Sequence, residues 1–208
     1  NIVQIGSSAV DARFAALARM GEVIFHARDA AVIWGITNAN TLHTTLSRYV
    51  RAGLLFRLQN GLYSVKPPHE LDPLLVGSKA IHGFCYVSTE TILSRAGLIQ
   101  QHLSRITFVS AVSRNFTLAG HAFRSRRMAD KYLFNETGVA CEGSVRIATP
   151  SRAVADMLYF NPRYHFDASA HIDWDEVNSI QTIVGYSVTK HKKDMTLILP
   201  SKKDEVHK

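Results

Sequence analysis

Residues 66–73 read KPPHELDP, so three of the chain's six prolines fall within eight positions. Each proline removes a backbone donor and biases its predecessor away from helix, so neither a helix nor a central strand can run through this stretch. The chain is therefore expected to divide here, into a module of residues 1–66 and a larger unit of residues 67–208. With 208 residues, 46% of them hydrophobic, there is enough apolar material for each part to close a core.

Charge is unevenly shared across that seam. The first 66 residues hold seven lysines and arginines against three acids, so they carry +4 of the chain's +7. An excess of cations on a small module favours polyanionic partners. Within it, residues 11–20 (DARFAALARM) set Phe14, Leu17 and Ala18 on one helical face, and Gly21 supplies the stop. A short helix over residues 28–34 is then broken by Gly35-Ile36-Thr37-Asn38. Asn38 or Asn40 can cap a third helix over residues 39–52, which Gly53 closes. Helix, tight turn, helix is the order in which the second helix of the pair enters the DNA major groove.

The wheel of that third helix agrees. Leu42, Leu46, Tyr49 and Val50 share the stripe expected to face a core. The opposite stripe holds Asn40, Thr44, Ser47, Arg48 and Arg51, with Thr41 and His43 at its margins, and it contains no acid. A merely solvated face usually mixes Glu with Lys, although a plain polar surface remains the alternative. Amide, hydroxyl and guanidinium donors are the groups that reach phosphates and base edges. Residues 54–59 (LLFRLQ), then Asn60-Gly61, then residues 62–65 (LYSV) form a β-hairpin signature. Asn-Gly suits a type I′ turn because both of its positions need φ > 0. A hairpin directly after a recognition helix is a wing, which would bring Arg57 and Asn60 beside the DNA.

The segment LHTTLSRYVRAGLLFRLQNGLYSV resembles the winged-helix module that opens AbiEi-family antitoxins. It carries that family's pattern on Leu46, Arg48, Tyr49, Gly53, Leu54, Arg57, Leu58, Gly61 and Tyr63. The resemblance continues through YVSTETILSRAGLI, RITFVSAVSRNFTLAGHAFRSRRM and ATPSRAVADMLYF, covering roughly residues 20–160. Pro150, Ala153 and Asp156 match the last motif, while Ser151 and Arg152 stand where Glu and Lys are usual. The resemblance implies a bacterial type IV antitoxin that represses its own operon through the N-terminal module. Its implied partners are double-stranded operator DNA and a nucleotidyltransferase-fold toxin, opposed functionally rather than in a stable complex. Residues 67–208 would then be the antitoxin domain.

Read by themselves, those residues predict a mixed α/β unit with a small, mainly antiparallel sheet, making the whole chain α+β. Strands are expected at 84–87, 105–111, 115–118, 121–128 and 145–147, and helices from Asp72, over 89–96 and over 151–160. Ala119-Gly120 turns the chain between two of the strands. Arg124 and Arg126, two apart on a strand, point the same way and with Arg114 and Arg127 form a candidate second basic patch. The bland alternative is a soluble strand edge. Lys190, His191, Lys192 and Lys193 read as a solvated run, and the stretch from Ser201 as a frayed tail.

Catalytic chemistry finds little support. No GxSxG, Walker glycine loop or dinucleotide fingerprint occurs, so a non-enzymatic protein without a cofactor is expected. His165, Asp167, His171, Asp173 and Asp175 are metal-capable, but their spacing matches neither HExxH nor an EF-hand loop. Asp173, Asp175 and Glu176 read instead as the acidic opening of a helix, and Asp156 as a partly buried structural hydrogen bonder rather than a catalyst. Cys85 and Cys141 lie far apart without a CxxC partner, which speaks against a disulfide framework or structural zinc. No apolar run approaches the roughly 18 residues of a membrane span, and the chain opens without a signal-peptide pattern. A cytoplasmic location is expected. A winged-helix transcription regulator or protein-interaction module without an antitoxin role is the competing reading, and a metal-dependent nuclease at residues 165–176 a third.

Overall fold

A computed structural model describes residues 4–101 and 103–188, and the Lys190–Lys193 run and the stretch from Ser201 lie outside them. The N-terminal part runs α1 (Gln4–Arg19), β1 (Ile24–His26), α2 (Ala27–Trp34), α3 (Ala39–Arg51), β2 (Phe56–Gln59) and β3 (Leu62–Ser64). Its three strands form an antiparallel sheet in the order β1-β3-β2. This is a winged helix-turn-helix. Strand β1, three residues long, was not legible as a strand, because its partner β3 lies some forty positions away and no local period marks it. The first helix begins at Gln4, earlier than the Ala-rich run alone suggests.

A core of Leu17, Phe25, Ala30, Leu42, Leu46, Tyr49, Leu55 and Tyr63 fills the module. The Trp34 indole N–H donates to the Arg13 carbonyl at 3.0 Å, and its ring meets Tyr49 edge-on with centroids 5.4 Å apart. These contacts fix α1, α2 and α3 against one another. Gly35, at φ 63°, ends α2 and lets the chain reverse into α3.

The wing hairpin forms where Asn60-Gly61 stands, but the turn is not type I′. Only Gly61 has positive φ, at 74°, and the strand register shifts between Arg57 and Gln59. The bulge supplies twist that a mirror-image turn would otherwise provide. The turn with two left-handed positions is Ala119-Gly120, at φ 49° and 80°, joining strands paired Leu118 to His121.

Beyond the prolines come α4 (Pro73–Ala80), β4 (Cys85–Val87), α5 (Glu90–Arg95), β5 (Ile106–Ser110), β6 (Arg114–Leu118) and β7 (His121–Arg127). The chain continues through α6 (Asp130–Leu133), β8 (Val139–Glu142), β9 (Val145–Ala148), α7 (Pro150–Phe160) and α8 (Trp174–Val184). The six strands lie in the order β6-β7-β5-β4-β9-β8. Three of the five pairings are antiparallel, while β5 with β7 and β4 with β9 run parallel. The fold is α+β.

Helix α4 covers one sheet face. A Cβ at Gly77 would stand 2.5 Å from the Phe108 ring, so only glycine allows this approach. Helices α5 and α7 cover the other face. There Ser88 Oγ donates to Asp156 Oδ2 at 2.7 Å, and Thr91 Oγ1 accepts from the Thr107 N–H at 2.7 Å.

Among the described residues the buried apolar side chains form two clusters, and the larger one reaches across residue 67. Ile24 and Leu62, from β1 and β3, are buried in the larger core. Lys79 of α4 pairs with Glu22 at 2.8 Å, and the His26 and His82 rings stack at 4.2 Å. Among the described residues no helix is long and apolar enough to cross a membrane.

Candidate nucleic-acid interface

Asn38 starts α3. Its Oδ1 accepts from the Asn40 N–H at 2.9 Å and the Thr41 N–H at 3.1 Å, satisfying two of the helix's free donors. Leu42, Leu46 and Tyr49 point into the core, as the wheel requires. Thr45 is also buried, where its hydroxyl donates to the Thr41 carbonyl at 2.8 Å.

The other face is open. Asn40, Thr41, His43, Thr44, Ser47, Arg48 and Arg51 are all exposed. On the wing, Arg57 and Asn60 are exposed too, and Arg57 Nη2 donates to Asn60 Oδ1 at 3.1 Å, which orients the guanidinium at the hairpin tip. The structure thus brings all nine residues onto one module, seven on α3 and two on the wing.

Their electrostatic setting depends on where nearby acids go. Glu22 is held by Lys79, at the contact with the larger part. Asp29 accepts from the His26 backbone N–H at 2.9 Å, closing the start of α2. Among the described residues, none of Arg48, Arg51 and Arg57 forms an ion pair. Three guanidiniums therefore stand uncompensated along a ridge of hydroxyls and amides. Such a ridge can engage phosphates through charge and base edges through directed donors.

The four arginines of the second patch are arranged differently. Arg124 and Arg126 do share a face, but they converge on Glu90: Arg126 donates to its Oε1, and Arg124 Nη1 stands 3.7 Å from the same oxygen. Thr89, just before Glu90, has φ 51° and ψ −128°, and its Oγ1 donates to Glu90 Oε2 at 2.7 Å. Arg114 reaches back to the Ala80 carbonyl at 2.5 Å and lies over the Phe116 ring. Arg127 is exposed on the alternate strand face. Sequence spacing located the strand face but missed Glu90, because that carboxylate arrives from a helix more than thirty positions earlier.

Asp167, Asp173 and Glu176 each accept a hydrogen bond from the protein itself. Asp167 Oδ2 accepts from the Gln100 N–H at 2.7 Å, and Asp173 Oδ1 accepts from the Glu176 N–H at 2.9 Å as the cap of α8. Glu176 Oε2 takes the Ser151 hydroxyl at 2.5 Å.

Asp156 lies at the centre of a buried polar cluster. Besides Ser88, it accepts from Tyr186 at 2.7 Å and from Arg152 Nε at 2.8 Å. Arg152 also donates to the carbonyls of Asn135 and Thr137 and to the Tyr86 hydroxyl. Burial alone would lower the Arg152 pKa, but the Asp156 carboxylate together with the Tyr86 and Tyr186 hydroxyls outweighs it and raises the value. Burial, followed by Asp156, pushes both tyrosine hydroxyls upward, so they remain donors.

No family model matches the chain, and no curated protein matches it. Among solved structures the fold is similar to the RV2827C protein of Mycobacterium tuberculosis, at 12% identity and a TM-score of 0.50. The match covers 84% of this chain and 71% of that one. At that identity the likeness concerns fold.

Proposed function

We propose that this chain is a DNA-binding antitoxin that represses its own operon, with the winged helix as its operator reader. The observation that carries the DNA reading is the exposed, acid-free face of α3, from Asn40 to Arg51, beside a wing bearing Arg57. In this reading Arg48, Arg51 and Arg57 engage phosphates or guanine edges, and Asn40, Thr44 and Ser47 address base edges. The toxin side of the reading is supported by the ordered resemblance running from Leu46 to Asp156. The protein acts by binding rather than by catalysis, opposing a nucleotidyltransferase-fold toxin in the cytoplasm.

A salt titration of binding to duplex DNA from the chain's own promoter tests the first half. Counterion release gives a steep fall in affinity with salt, and each lost phosphate contact flattens the slope by about one unit. The Arg48→Ala/Arg51→Ala variant is expected to lose most of its affinity. Unchanged binding by that variant would remove the assignment and favour a protein-interaction module. Co-expression with the product of the neighbouring gene tests the second half. Growth arrest relieved by this chain is the expected result, and no relief overturns the antitoxin role.

A further inference from the structure

The ends of three elements converge around a second cationic site, far in sequence from the winged helix. Strands β5 and β7 run parallel, with Ile106 opposite Phe123, so Arg105 and His121 emerge at the same end of the sheet. The last turn of α5 brings Ser94 and Arg95 over that end. Together with Ser104 these side chains line an open cavity of about 290 Å³. Small-ligand sites begin at about 300 Å³.

The lining is divided by chemistry. Arg95, Arg105, Ser94 and Ser104 supply cationic and hydroxyl donors, while Leu103, Ile106 and Ala122 supply an apolar wall. No carboxylate lines the cavity. Among the described residues neither Arg95 nor Arg105 forms an ion pair. Glu90, the acid of α5, stands at the opposite end of that helix and is held by Arg126. Beneath it, Thr91 Oγ1 accepts from the Thr107 N–H at 2.7 Å and ties α5 to β5. Two planar guanidiniums without a carboxylate, facing a preformed cleft, match the fork geometry that phosphate oxygens accept. The apolar wall suits an organic group attached to that phosphate.

We infer that this cavity binds a small phosphate monoester, its dianionic head held by Arg95 and Arg105 and its organic portion against Leu103, Ile106 and Ala122. The inference is independent of the DNA reading, since the cavity lies at the end of the sheet where β5 and β7 begin, whereas the winged helix leans on α4 through the Glu22–Lys79 pair. The competing role for Arg95 is to complement the carbonyl end of α5, which requires no ligand.

Calorimetric titration of the full chain at constant ionic strength, with inorganic phosphate in one arm and adenosine 5′-monophosphate in the other, tests this. Saturable binding is expected in both arms, tighter for the monoester; tighter binding of inorganic phosphate would overturn the monoester assignment. The Arg95→Gln/Arg105→Gln variant should lose at least tenfold in affinity, while Arg19→Gln, with a charge removed on α1, should stay within twofold. Amide-resolved NMR on the unaltered chain needs no variant, and shifts should concentrate at residues 94–95, 104–106 and 121–122. No saturable binding, equal losses in Arg19→Gln, or shifts spread over the α3 ridge instead would each overturn the site.

Discussion

Arg152 and Asp156 form an ion pair one turn apart on α7, with Nε to Oδ1 at 2.8 Å and both side chains wholly excluded from solvent. Every other group around them is engaged. Ser88 and Tyr186 complete the carboxylate, and the carbonyls of Asn135 and Thr137 complete the guanidinium. The pair therefore ties α7 to the end of β4, to the segment before β8 and to Tyr186, two residues beyond α8. Removing one partner leaves a buried charge uncompensated, which costs about 3–5 kcal/mol. Asp156→Ala is expected to lose that much in equilibrium urea unfolding. A loss below about 1 kcal/mol would show that the cluster is not the staple its geometry indicates.

Gly77 is expected to tolerate no side chain. Alanine there drives a methyl group against the rings of Phe108 and Phe123, and α4 must lift from the sheet. Overpacking of this kind costs about 1–3 kcal/mol, against the small gain alanine normally brings to a helix. Thermal unfolding of Gly77→Ala should show a lowered midpoint, and an unchanged or raised one would contradict the packing.

Tyr49 is predicted to respond in the opposite direction. Its ring is core, but its buried hydroxyl has no hydrogen-bond partner among the described residues. Tyr49→Phe removes an unsatisfied polar atom while keeping the ring, so a gain of about 1 kcal/mol is expected. Denaturant midpoints of the two proteins check the sign.

The contact between the winged helix and the larger part should weaken in acid. Burial, then the stacked His82, lowers the His26 pKa below its ordinary value, against the raising influence of Asp29. Lys79 acts both ways, because a hydrogen bond to its backbone raises the value while its ammonium, paired with Glu22, lowers it. The folded state thus prefers neutral His26. Its contribution is complete above the ordinary imidazole value of about 6.5 and is lost as pH falls through the depressed folded value. Between pH 7.5 and 5 the thermal midpoint should drop less in His26→Gln than in the unaltered chain. Equal drops would show that His26 is not responsible.

Arg51 separates two modes of DNA contact. If it meets only a phosphate, Arg51→Ala weakens binding to all sequences alike and flattens the salt slope by about one unit. If it reads a base, the loss is about 1–3 kcal/mol and is confined to one operator position. Binding to a panel of single-base operator variants at two salt concentrations distinguishes these. No change in either quantity would take Arg51 out of the interface.

Local chemistry in the sequence determined much of this protein. Asn38 capping, the core stripe of Leu42, Leu46 and Tyr49, the stop at Gly53 and the wing hairpin all depend on residues within a few positions of one another. Such spacing is sufficient to set a helical face or a turn. The tertiary structure alone decided the rest. Strand β1 exists because β3 pairs with it, and the parallel β5–β7 and β4–β9 contacts join segments that no local period relates. The twist at the wing came from a bulge between Arg57 and Gln59, leaving Asn60 free of the left-handed turn its neighbour adopts. Arg124 and Arg126 lost their standing as an open patch because Glu90 folds onto them, while Arg95 and Arg105, ten positions apart, gained a shared cavity. Charge acts through space, so its effect is set only once the chain has decided which distant residues meet.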